Sequence, residues 1–164
     1  MNKKLLKLPV LTLIAGIILQ IADSITALAV LKGALEWTPE METTVFYIRL
    51  VISIILFAII GIILHRIYDR KTLVKPATSL VIYSIVIFAL EQIMKYFGAY
   101  SVIFYWMNIP IEIFTAITSV LARVSGAGSI NWIYAIPSLF APYLFVLFGK
   151  KSESGSKDTD QFLQ

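Results

Sequence analysis

Asp23, Arg49, Glu91, Lys95 and Glu112 stand inside long apolar runs of the sequence. A charge placed in hydrocarbon costs about 2.5–3.5 kcal/mol on insertion scales, so each of them requires a partner or a task. Asp23 is eight residues before the end of its run at Leu31, about 12 Å deep at 1.5 Å per helical residue. Gln20 precedes it by three and Ala27 follows it by four, which places all three on one helical face. Arg49 sits about five residues into the next run, ~7–8 Å from the same side. Glu91 and Lys95 are four apart near the end of the third run. Their depths overlap, so a polar cluster of Asp23, Arg49, Glu91 and Lys95 is expected, with Gln20 and Gln92 at its edge. Its chemistry divides between ion pairs that fix helix register and a ligand or ion site. Arg49 and Lys95 can also snorkel to headgroups.

Glu112 is the sharpest of the five. Counted from the start of the fourth run it is about twelve residues in, roughly 18 Å deep and near a bilayer midplane. No Lys or Arg of another run is expected at that depth. Ser101, Asn108, Glu112, Thr115 and Ser119 follow one another at spacings of seven, four, three and four, a polar stripe along one helix. Lipid would penalise such a stripe, so it should face the bundle interior or a cavity. Pro110 removes a backbone donor and frees the carbonyl of Trp106. Two roles fit Glu112: a proton-carrying or cation-binding carboxylate, or a hydrogen-bonding glue between helices.

Much other chemistry is excluded. The chain has no cysteine, hence no disulfide or thiolate site, and its single histidine, His65, lies in a basic loop without a partner at metal-ligand spacing. Serines occur without a G-x-S-x-G elbow, and Gly126 and Gly128 neither follow a strand nor open a phosphate loop. No cofactor, no metal, no nucleic-acid partner and no catalytic constellation is therefore expected. The net charge of +4 comes from cations at the ends of apolar runs, where they orient a chain in a bilayer.

The elements that must position these residues follow from composition. Of 164 residues, 59% are apolar and 15% charged, against about a quarter charged in an ordinary soluble domain. The apolar runs do not alternate with polar residues, so a membrane β-barrel is excluded and helices are expected. Five segments are predicted: Leu8 to Leu31, Thr44 to Leu64, Pro76 to Phe97, Tyr100 to Leu121, and Trp132 to Phe148. Leu8 to Leu19 followed by Ala27-Leu28-Ala29 has the layout of a signal peptide, but an apolar stretch reaching Leu31 suits an uncleaved span. Residues 1–149 thus read as an all-α integral membrane bundle of five helical segments, four of them spans. The polar stretch 150–164 reads as a disordered tail.

Lys3, Lys4, Lys7, Arg66, Arg70, Lys71 and Lys75 place the amino terminus and the second connection in the cytoplasm of a multi-pass cell-membrane protein. The fifth segment is ambiguous. If it crosses, the cations split 8 to 6 between the two sides; if it enters and leaves on the cytoplasmic side, they split 11 to 3. Pro137 and Pro142 could break it there. Short loops and few charges lead to the expectation of a small binding or accessory protein of a membrane complex. Its partners would be the lipid bilayer and another membrane protein or a second copy of the chain. A small transporter or channel using Glu112 is the alternative, since proline-interrupted segments mark many transporter sites.

Overall fold

The computed structural model of the protein describes residues 3–33, 36–99, 101–126 and 132–151, and every regular element among them is helical. α1 spans Lys3–Leu31, α2 Pro39–Ile67 and α3 Arg70–Tyr96. α2 begins five residues before its apolar run. The side chain of Thr38 accepts a hydrogen bond from the Met41 backbone at 3.3 Å, Pro39 opens the first turn, and Glu40 and Glu42 face the positive end of the helix dipole. α3 begins six residues before Pro76, with Thr72 Oγ1 donating to the Asp69 carbonyl at 2.8 Å. Pro76 therefore stands inside the helix, buried, and does not open it. By length and composition Leu6–Leu31, Pro39–Ile67, Arg70–Tyr96 and Ile103–Val124 each suffice to cross a membrane.

The bundle has a basic end and an acidic end. The basic end gathers the start of α1 and the Tyr68-Asp69 connection between α2 and α3. The acidic end gathers the connection between α1 and α2, with Glu36, Glu40 and Glu42, and the end of α3. Ile103 follows closely on α3 and so starts at the acidic end. α4, Ile103–Asn108, leads inward, and Tyr83 in the middle of α3 donates its hydroxyl to the Met107 carbonyl at 2.7 Å. A 3-10 turn, Ile109–Ile111, then lies on α1. α5, Glu112–Val124, returns: Phe114 meets the Phe145 ring at 5.8 Å, Thr118 donates to Ser138 at 2.9 Å, and Arg123 reaches Glu42 at 3.3 Å. Ile103 and Val124 consequently share one end of the bundle. The fourth segment is a hairpin.

The fifth segment runs the full length in the opposite sense to α3, from the 3-10 turn Trp132–Ala135 through α6, Ile136–Phe140, to a second 3-10 stretch, Ala141–Phe148. Tyr143 OH is 3.0 Å from Thr78 Oγ1, and the Phe145 ring, fully buried, stacks on Phe57 at 4.4 Å. At the basic end Lys150 N donates to the Tyr68 carbonyl and Arg70 N to the Lys150 carbonyl, both at 3.0 Å. His65 Nδ1 donates to the Phe148 carbonyl at 2.7 Å, and Arg70 Nε donates to that of Gly149 at 3.2 Å. Those side chains satisfy carbonyls that a helix end leaves open. The fifth segment therefore runs from one end of the bundle to the other, and the segment that returns is the fourth, kinked at Pro110. Residues 127–131 and 152–164, the latter most of the expected disordered tail, lie outside the described residues.

The hairpin tip needs Gly16. A Cβ there would stand 1.9 Å from the Ile109 carbonyl oxygen, and backbone cannot yield as a flexible side chain can. We predict that Gly16→Ala lowers the unfolding free energy in detergent by about 1–3 kcal/mol, the usual cost of overpacking. Ser24→Ala, on an exposed stretch of the same helix, should be close to neutral. Equal melting temperatures for Gly16→Ala and the native chain would contradict the close approach.

Candidate functional site

The hairpin fold-back brings Glu112 to Arg49. Arg49 lies ten residues inside α2, about 15 Å from Pro39, and Glu112 lies twelve residues before Val124, about 18 Å from the same end. Asp23, eight residues before Leu31, is about 12 Å deep. The three therefore share a layer. Arg49 Nη2 donates to Glu112 Oε1 and, at 3.2 Å, to Thr115 Oγ1, while its Nε is 3.4 Å from Asp23 Oδ2. The last contact is within ion-pair range but lacks hydrogen-bond geometry. Thr115 in turn donates to the Glu112 carbonyl at 2.7 Å, which orients its oxygen toward the guanidinium. One cation thus links α1, α2 and α5.

This corrects the expectation that no Lys or Arg reaches the depth of Glu112. Thr44, where the apolar run begins, understates the depth of Arg49, because the helix begins at Pro39. Two physical signals in the sequence mark that start: the capping Thr38 followed by Pro39, and two acidic residues in the next turn. The polar stripe is corrected as well. It does not run along one straight helix, because Ile109–Ile111 breaks it; Ser101 stands before α4, where its hydroxyl accepts from Ile103 N at 3.4 Å.

Asn108, Glu112, Thr115 and Ser119 nevertheless line one cavity of about 570 Å³ between the hairpin, α3 and the fifth segment. Arg49 and Glu112 form its floor. Along one wall Lys95 Nζ pairs with Glu91 Oε1 at 2.7 Å, and Asn108 Nδ2 donates to Glu91 Oε2 at 3.4 Å. Gln92, Thr118 and Ser138 add polar lining, and Phe88, Tyr105 and Trp132 add aromatic rings. Lys95, Tyr105 and Trp132 are each half exposed or more and mark its mouth near the acidic end. Of the residues singled out in the sequence, Arg49, Glu91, Lys95, Asn108 and Glu112 meet in this cavity. Asp23 supports Arg49 from outside the lining. Gln20, one turn from Asp23, also stands outside it, its Nε2 buried without a hydrogen-bond partner.

Tyr105, Trp132, Thr118 and Ser138 were not anticipated, because each acquires its place only through the fold-back. Among the described residues no three His, Cys, Asp or Glu side chains converge as a metal site. No family model matches the chain, and no curated protein and no solved structure is significantly similar to it.

Arg49 has two carboxylate partners, which sets an order among substitutions. Glu112→Gln and Asp23→Asn each leave one carboxylate on the guanidinium, whereas Arg49→Gln leaves two carboxylates facing each other. We predict that Arg49→Gln destabilises the protein most, toward the ~3–5 kcal/mol typical of a broken buried pair, and the other two less. Thermal unfolding of the three variants checks the order. Adding Asp23→Asn to Arg49→Gln should recover part of the loss; strict additivity would mean that the two groups do not interact.

Proposed function

We propose that the chain is a multi-pass membrane protein that binds a small polar solute in the cavity above Arg49 and Glu112. The observation that carries this reading is the cavity itself: polar groups from α2, α3, α4, α5 and the fifth segment converge on one concave space inside an otherwise apolar bundle. Concave sites with a few converging polar groups are the usual form of small-ligand sites. α1, α2, α3 and the fifth segment cross the bilayer, and the fourth enters and leaves on one side. Irregular backbone at membrane depth is tolerated where it is enclosed by protein or lines a water-filled space, as here.

Orientation follows from charge. Lys3, Lys4, Lys7, Arg66, Arg70, Lys71, Lys75, Lys150 and Lys151 belong to the basic end, and Lys32, Lys95 and Arg123 to the acidic one. The basic end is cytoplasmic by the positive-inside rule, so the cavity opens outward. Translocation is a second reading, favoured by the proline-broken fourth and fifth segments, with Pro110, Pro137 and Pro142.

Two measurements test these statements. The chain has no native cysteine, so single cysteines at Glu40 and Ser125 should react with an impermeant thiol reagent on intact cells, while those at Thr72 and Lys151 should not. Labelling at Thr72 but not at Glu40 would invert the orientation, and protection at Ser125 would remove the hairpin. For function, the purified protein should be thermally stabilised by members of a panel of small polar solutes, and Ser119→Phe, which fills the cavity, should abolish that stabilisation while preserving the fold. If no solute stabilises it, an accessory role without a ligand of its own replaces this reading. Uptake of the stabilising solute into vesicles holding only this protein decides between binding and transport.

A further inference from the structure

We infer that the ligand of this cavity is a small organic cation, an ammonium group carrying methyl or short alkyl substituents. The inference rests on the solute-binding reading above and narrows it. Two carboxylates, Glu91 and Glu112, line the cavity with two cations, Arg49 and Lys95, and a third carboxylate, Asp23, reaches Arg49 from outside the lining. A single guanidinium is shared between Asp23 and Glu112, and Lys95 is held by Glu91. Ionised, the group therefore carries one uncompensated negative charge in a region of low dielectric, where an unpaired charge is expensive.

The charge of a ligand follows from that imbalance. An anion would add to the excess negative charge and finds both cations already within ion-pair distance of carboxylates. A neutral solute leaves the excess charge in place. A cation removes it. The type of cation follows from the walls. A bare metal ion needs a shell of oxygen or nitrogen ligands, and no three acidic or imidazole groups converge among the described residues. Beside its polar groups the cavity offers aromatic rings: Phe88, Tyr105 and Trp132 line the same space. A ring face attracts an alkylated ammonium through its quadrupole while accepting the methyl groups as apolar surface. Carboxylates in excess of cations, beside aromatic walls, are the combination that recognises an organic ammonium ion.

Choline and tetramethylammonium are the probes, and 3,3-dimethylbutan-1-ol is the control, matching choline in shape without its charge. Trp37→Phe and Trp106→Phe leave Trp132, in the cavity wall, as the sole tryptophan reporter. Choline should shift Trp132 emission saturably, and the neutral isostere should bind at least tenfold more weakly. Calorimetry on the unsubstituted protein should give the same order without relying on any variant. Phe88→Leu should weaken choline binding several-fold, and Glu112→Gln at least tenfold, in protein whose melting curve stays cooperative.

The opposing results are distinct. Equal binding of choline and its neutral isostere, or binding of acetate or a sugar with no response to either ammonium ion, overturns the ligand class and leaves the solute-binding reading standing. No response to ammonium ions, anions, sugars or amino acids overturns both.

Discussion

A guanidinium about 15 Å inside an apolar bundle must be surrounded by acceptors, and the arrangement of this protein follows from how Arg49 meets that requirement. Its partners come from segments far apart in sequence: Asp23 from α1, and Glu112 with Thr115 from α5. Glu112 can reach this layer from the returning arm of the hairpin, which packs along α2. The clamp thereby ties the returning arm to α1 and α2. Breaking it leaves charges stranded, and the space that the hairpin leaves open above the clamp is the cavity.

A hairpin at this depth has to satisfy its own backbone. Chain reversal inside lipid exposes carbonyls and amides that no water can reach. Three features meet that demand. Tyr83 donates to the Met107 carbonyl, Pro110 contributes no amide hydrogen in need of a partner, and Gly16 admits the turn into close contact with α1. The fifth segment, itself largely 3-10, depends on a similar device at the basic end, where His65 and Arg70 supply donors to its last carbonyls. Arg123 closes the other end of the hairpin: it pairs with Glu42 and lies 4.2 Å over the Phe46 ring. The fold is thus held at three levels by side chains that pair polar groups, while apolar contact fills the space between them.

The helical class was legible in the sequence because long apolar runs have no other way to satisfy their backbone in lipid. The five segments were legible for the same reason. Glu91 with Lys95 was readable as a pair because a spacing of four residues places both on one helix face. Asp23 near Arg49 was readable from overlapping depths. The pairing of Arg49 with Glu112 and the return of the fourth segment were not, each for its own physical reason. Hydropathy marks where apolar residues start, whereas a helix starts where its first amides are capped, and at Thr38 these differ by a turn and a half. Also, the 22 residues from Ile103 to Val124 have the length of a span, and length alone does not distinguish a crossing from a return. Pro110 was visible as a break, but the direction of the chain after it depends on Gly16, Tyr83 and Arg49, all in other segments. The aromatic walls of the cavity were hidden for that same reason.

The fold-back carries the rest of the account, and one distance tests it most directly. Spin labels at Val102 and Val124, both largely exposed, report the separation of the two ends of the fourth segment by pulsed electron resonance in nanodiscs. A helix that crossed the bilayer would hold them about 33 Å apart, at 1.5 Å per residue over 22 residues. The hairpin predicts a single population separated by about one to two helix spacings of 8–10 Å, before the length of the labels is added. A distribution centred near 33 Å would show a straight span and contradict the fold-back, and with it the cavity that the returning arm encloses.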